Sequence, residues 1–199
     1  LRESGAVPEF LVVAVDGGNS FFVNAPGGRY EDLLTKDLVA HVESTYRVVP
    51  GRKGRALLGV SMGGYAALRV AFEEPGFAAA VATHSAMLLE AIPSAQQGAG
   101  RWHMAAFTRV FGDPIDPALW AANDPLAWAG KADPKAVPAL LVDCGAEDRY
   151  GLAGGHRVLH RILDGRGIAH VGPSHADDDR SGRAEVRSTD RSRRCAQRL

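Results

Sequence analysis

Apolar residues along this chain come in short blocks that alternate between two spacings. Phe10-Leu11-Val12-Val13-Ala14-Val15 is an unbroken apolar run stopped by Asp16-Gly17-Gly18, and it predicts a buried strand ending in a turn. From Glu31 to about Arg47 the residues Leu33, Leu34, Leu38, Val39 and Val42 recur at helical spacing. Arg55–Val60 predicts a second strand, and the Ala-, Leu- and Val-rich stretch from Ser61 to about Phe72 predicts a helix halted at Glu74-Pro75-Gly76. Phe77–Thr83 and Val137–Asp143 predict a third and a fourth strand. Leu152 to about Asp164 predicts a helix with Val158, Leu159, Ile162 and Leu163 on its apolar face, and Gly167–Val171 opens a fifth strand. Strand and helix in alternation predict an α/β fold, a mostly parallel central sheet flanked by helices.

Two stretches break the rhythm. Residues 85–136 are irregular and hold Trp102, Trp120 and Trp128, which line a pocket or pack the core beneath a cap-like segment. From Ser174 to Leu199 the chain is rich in Arg, Asp and Ser with almost no large apolar residues, which predicts a mobile tail. The chain therefore divides into one α/β domain over 1–173 and an Arg-rich tail over 174–199.

Bulk properties narrow the function by exclusion. A chain of 199 residues suits one domain with a substantial core. Lys plus Arg and Asp plus Glu each total 23, so no net charge draws the chain to nucleic acid or an anionic membrane. No apolar run approaches the roughly 18 residues of a spanning helix. Cys144 and Cys195 show no metal or redox spacing, and Cys144 sits in an apolar run as a buried thiol would. No metal-ligand cluster appears, so the expectation is chemistry without metal or organic cofactor. The start of the chain has no signal-peptide architecture. The compartment stays open, with the cytoplasm as the working expectation.

One motif carries chemistry. Gly59-Val60-Ser61-Met62-Gly63 fits G-x-S-x-G between an apolar strand and an Ala-rich helix. In a nucleophile elbow the tight strand-to-helix turn strains the serine and lifts its hydroxyl above the sheet. Gly59, Gly63 and Gly64 would let helix and strands approach closely. The helix start beneath Ser61 offers backbone donors to an oxyanion, the Met62 N–H first among them. The plainer reading is a glycine-rich turn that contains a serine.

A serine nucleophile needs a base, and the base an orienting acid, in the chain order Ser, acid, His for this fold. Asp143, Glu147 and Asp148 follow the Leu140-Leu141-Val142 strand. Asp148, in the turn beyond it, is favoured over Asp143 at the strand edge, although it also suits a cap for the helix near Leu152. His156 and His160 lie on that helix, and His41, His84 and His103 precede the acid. His170 and His175 remain, and the loop position after the last strand favours His175 as base.

Four motifs in order now have a parallel. Asp16-Gly17-Gly18-Asn19-Ser20, Gly27-Gly28-Arg29-Tyr30-Glu31-Asp32, Gly59-Val60-Ser61-Met62-Gly63-Gly64-Tyr65 and Asp143-Cys144-Gly145-Ala146-Glu147-Asp148-Arg149-Tyr150 resemble the esterase family of α/β-hydrolases. That family takes in esterase D-like S-formylglutathione hydrolases, feruloyl and acetylxylan esterases, enterochelin esterases and mycolyltransferases. The resemblance runs from about Phe10 to Val171 and implies an α/β-hydrolase fold, Ser61 as nucleophile and Asp148 as triad acid. It also implies a fold incomplete at the N-terminus, because family members begin some tens of residues earlier. The strand and His-Gly-type loop that supply the second oxyanion N–H have no counterpart before Phe10.

In the family's order the absent strand lies between Phe10–Val15 and Arg55–Val60. These two either pair directly or leave unpaired edges that favour self-association. Relatives continue after Gly167-Ile168-Ala169-His170 into a strand and Gly-Gly-His, which would place their histidine near Asp179, where this sequence diverges. The expected reaction is carboxylic ester hydrolysis through an acyl-enzyme on a small-molecule substrate, with Ser61, Asp148 and His175 as the triad. Acyl transfer uses the same residues, and an impaired fold that only binds a ligand or partner is the competing reading.

Overall fold

The described residues of the computed structural model are 9–93, 101–148 and 150–172, those at 101–103 for their backbone alone. The proposed tail over 174–199, His175, Cys195 and the side chains of Trp102 and His103 lie outside them.

A two-stranded ribbon opens the fold, β1 (Asn24–Ala25) antiparallel to β2 (Gly28–Arg29). The helix expected from Glu31 follows in three pieces: α1 (Tyr30–Asp32), a π-helical turn over Leu33–Asp37, and α2 (Leu38–Thr45). The sheet then forms from β3 (Ala56–Val60), β4 (Ala80–His84), β5 (Ala139–Asp143) and β6 (His170–Val171), all parallel and in sequential order. Helix α3 (Met62–Glu73) crosses from β3 to β4 and stops before Pro75, whose ring disfavours helical backbone at the residue before it. Helix α7 (Ala153–Gly165) crosses from β5 to β6.

The irregular stretch between β4 and β5 holds α4 (Arg101–Phe111), α5 (Pro117–Asn123) and α6 (Pro125–Ala129). The last two start alike. Asp116 and Asp124 accept first-turn N–H groups, and a proline whose missing N–H costs nothing there follows each.

One face of the sheet carries the core. Val81, Leu140 and Val142 pack under Ala67, Leu68, Ala71 and Phe72 of α3, Leu126 and Ala129 of α6, and Leu159 and Leu163 of α7. A second cluster builds on Phe21, Phe107, Phe111, Trp120 and Tyr65, whose rings stack or meet edge to face. Trp120 is thus a core residue, and Trp128 packs against the first cluster while its Nε1–H donates to Ala122 O at 2.8 Å. Buried Arg69 joins the N-terminal loop to α3, donating to Phe22 O at 2.9 Å and pairing with Glu31 and Glu73.

The first expected strand does not form. Phe10–Val15 has no ladder partner, and Phe10 and Val12 are more than 70% exposed, at 72% and 75%. Its apolar pattern needs a neighbour on its hydrogen-bonding edge, and among the described residues no strand stands between it and β3. The open-edge alternative holds. Among the described residues β3 is the sheet's edge, and on the face away from the core Leu58 is 82% and Val60 58% exposed.

Candidate active site

Ser61 occupies the junction where β3 ends and α3 begins. Its φ of 53° and ψ of −114° lie in a region an L-residue enters only when its surroundings force it. Three backbone hydrogen bonds supply that force: Ser61 N–H to His84 O at 3.1 Å, and the Tyr65 and Met87 N–H groups to Ser61 O, each at 3.0 Å. The glycines explain the close approach. A Cβ on Gly59 would run into the Gly63 carbonyl, and one on Gly64 would stand 2.7 Å from Ala86 Cβ. Gly63 faces open space instead, so the tight fit rests on Gly59 and Gly64 rather than on every glycine of the motif.

Met62 is the first residue of α3, so its N–H is among the donors a helix start leaves without an intrahelical acceptor. With the positive end of the helix beneath it, this point favours developing negative charge.

The loop after β5 turns on Asp148. Its Oδ2 accepts the Tyr150 N–H at 3.1 Å and the Leu152 N–H at 2.7 Å, which fixes the turn into α7. This is a turn ahead of the helix and not the helix cap weighed for it from sequence, because the N-cap of α7 is Leu152 and no side chain caps it; Oδ1 makes no hydrogen bond among the described residues. Cys144 is buried beside the same loop. Burial pushes its thiol up, the Asp148 and Asp143 carboxylates act in the same sense, and a Ser85 hydrogen bond opposes them.

The histidines are mostly committed elsewhere. His156 is fully buried, with Nε2 3.0 Å from Ala86 O. His170 donates from Nδ1 to Ile168 O at 3.0 Å, which leaves its Nε2 to accept from His160 Nδ1 at 2.9 Å. Both nitrogens of His170 are therefore occupied, which counts against it as base. His84 differs, because its Nδ1 lies 2.7 Å from Asp143 Oδ1 and both side chains are exposed. Chain order set His84 aside in the sequence. The missed signal is positional: His84 and Asp143 each close an apolar strand, and parallel strands bring such residues to one edge. No three His, Cys, Asp or Glu side chains among the described residues are arranged to hold a metal ion.

A family model described as "Putative esterase" matches residues 5–156. The chain belongs to that esterase family. Solved structures agree on the fold. A ferulic acid esterase is 23% identical with a TM-score of 0.57 over 76% of this chain and 54% of its own. An S-formylglutathione hydrolase from Agrobacterium tumefaciens is 20% identical, TM-score 0.60, over 77% and 53%. The fluorophosphonate-binding serine hydrolase F of Staphylococcus aureus is 21% identical, TM-score 0.63, over 77% and 58%. This esterase-family chain thus spans little more than half the length of each, and what it shares with them is an incomplete α/β-hydrolase fold. A search of curated protein sequences finds no match.

Proposed function

We propose that the chain is a serine hydrolase that cleaves carboxylic esters of small molecules through an acyl-enzyme. The supporting observation is the backbone of Ser61, held at positive φ between β3 and α3 by three hydrogen bonds and two close-packed glycines. Strain of this kind persists only where the surroundings over-determine it, and it turns the serine hydroxyl to the top of the sheet. Ser61 attacks the acyl carbonyl, a histidine takes its proton, and the Met62 N–H stabilises the oxyanion. Collapse expels the alcohol, protonated by the same histidine, and water then releases the acid. Sequence order assigns the histidine to His175 and its orienting acid to Asp148, whose Oδ1 makes no hydrogen bond among the described residues.

A fluorophosphonate probe with peptide mapping tests the reading on the folded chain. Labelling on Ser61, lost in Ser61→Ala, is the expected result. A folded chain that takes up no label at Ser61 refutes it.

A further inference from the structure

The carboxyl edge of the sheet carries a second His–carboxylate arrangement that the motif and the chain-order triad do not use. His84 closes β4 and Asp143 closes β5, and the two are register partners. Their 2.7 Å contact is a hydrogen bond from the ring Nδ1–H to the carboxylate Oδ1. On the other side of β4, Val60 is the register partner of His84, and Ser61 follows it with its N–H on the His84 carbonyl. Serine, histidine and carboxylate thus stand on three consecutive strand ends, about 4.8 Å apart from strand to strand. The order across the sheet, Ser61, His84, Asp143, is the spatial order of a serine-hydrolase triad.

The ring's own geometry adds direction. An imidazole that donates from Nδ1 turns its Nε2 lone pair away from that acceptor. Asp143 lies on the β5 side of His84, so Nε2 is turned away from Asp143; on the other side stands β3, with Val60 beside His84 and Ser61 next along the chain. Nε2 makes no hydrogen bond among the described residues. The ring is mostly exposed, its side chain at 61%, so it has room to close on the serine hydroxyl when substrate arrives. Catalytic hydrogen bonds often tighten only in the complex. The other described histidines near the sheet lack this freedom: His156 holds Ala86 O, and His170 is engaged at both nitrogens.

We propose that His84, oriented by Asp143, is the general base of Ser61. This rests on the serine-hydrolase reading above and replaces the base and its orienting acid together. His84 Nε2 takes the Ser61 hydroxyl proton as Oγ bonds to the acyl carbon. The imidazolium returns that proton to the departing alkoxide as the ester C–O bond breaks. Nε2 then takes a proton from water, which attacks the acyl-enzyme, and the proton goes back to Ser61 as the carboxylic acid leaves. Ester and water give acid and alcohol, with Asp143 accepting the Nδ1–H hydrogen bond throughout.

The test is the rate of fluorophosphonate labelling at Ser61 in the wild-type chain, His84→Ala, Asp143→Asn and His175→Ala, each checked for folding by urea unfolding. His84→Ala is expected to label about 100-fold or more slowly, the usual scale of a lost general base. Exogenous imidazole, entering the space of the deleted ring, is expected to restore part of that rate, which a purely structural role would not allow. Asp143→Asn lowers the rate in the same sense, because the amide no longer fixes the tautomer. Wild-type labelling with His84→Ala unaffected, or slowed but deaf to imidazole, overturns the inference and leaves the hydrolase reading intact. Loss in His175→Ala with full labelling in His84→Ala overturns it in favour of His175. A folded wild-type chain that takes no label overturns both.

Discussion

Two glycines at the turn from β3 into α3 should respond in opposite senses to the same added methyl group. A Cβ on Gly59 would meet the Gly63 carbonyl carbon and oxygen and stand 2.6 Å from Gly64 N. All three atoms belong to the backbone at the start of α3, so no side chain can turn aside to make room. Overpacking that side chains absorb costs about 1–3 kcal/mol, and a clash that only backbone can relieve belongs at the top of that range, about 3 kcal/mol. Gly63 has no atom within 4 Å of its Cβ position. Gly→Ala there removes unfolded-state freedom and raises helix propensity, a gain of about 0.5 kcal/mol in a first turn. The two variants should therefore differ by about 3.5 kcal/mol.

Urea unfolding followed by circular dichroism reads this directly, since a domain of ordinary stability, about 5–15 kcal/mol, survives either change. Labelling at Ser61 supplies the functional side. Gly59→Ala, by lifting the helix start, should slow it, and Gly63→Ala should leave the elbow in place. Equal midpoints, or Gly63→Ala as the more damaging change, would refute the claim that strand–helix contact at Gly59 sets the serine's geometry.

Other positions give independent checks. Tyr65→Phe removes the hydroxyl that donates to Asn123 O at 2.7 Å in the buried aromatic cluster, and should cost about 1–2 kcal/mol in urea unfolding. Burial pushes that phenol up, so the cost should be constant across the neutral range; a cost that varies there would contradict the buried hydrogen bond. Asp32 is held at about 2 by the Lys36 hydrogen bond first, then by those of Arg29 and Asn24. A depressed carboxylate gives its full contribution above its ordinary value of 3.8 and loses it as pH falls through about 2. The stability gap between wild type and Asp32→Asn should thus be complete at neutral pH and narrow between those two values, whereas a constant gap would remove the charge network from the account. Leu58→Glu, on the open face, should leave stability within about 0.5 kcal/mol and reduce concentration-dependent association in sedimentation. Unchanged sedimentation would mean that this face does not drive contact between copies.

The parts of the fold legible in the sequence are those whose partners lie on the core face. The segments read as Arg55–Val60, Phe77–Thr83 and Val137–Asp143 became ladder strands because Leu57, Val81, Leu140 and Val142 meet α3, α6 and α7. Their starts moved by one to three residues, most at Phe77, which turns under Val70 instead of pairing. Phe10–Val15 failed for the complementary reason. A hydrophobic run specifies burial, not a neighbour, and the neighbour decides whether a strand forms. The π-helical turn over Leu33–Asp37 left no mark in the 3.6-residue spacing that predicted one helix. At the candidate site, the turn at Ser61 was legible because it is local, one strand end and one helix start. The His84–Asp143 contact was not, because it joins residues far apart in sequence, and only the register of β4 on β5 brings them together.

The same register links the site to the core that supports it. Thr83 precedes His84 and Val142 precedes Asp143, and these partners are buried on the face that α3 and α7 cover. Val60, His84 and Asp143 are therefore the last positions of a row whose penultimate members, Gly59, Thr83 and Val142, are packed, and the Ser61 N–H and Ser85 N–H bonds at 3.1 and 2.8 Å carry the ladder one step past the strands. Packing on one face thus suffices to fix the backbone at the carboxyl edge, although the other face is open. In the proposed mechanism, a serine held by its backbone and an imidazole held by the Asp143 hydrogen bond would divide the two requirements of acyl transfer, placement of the nucleophile and movement of its proton, between the covered and uncovered sides of one sheet.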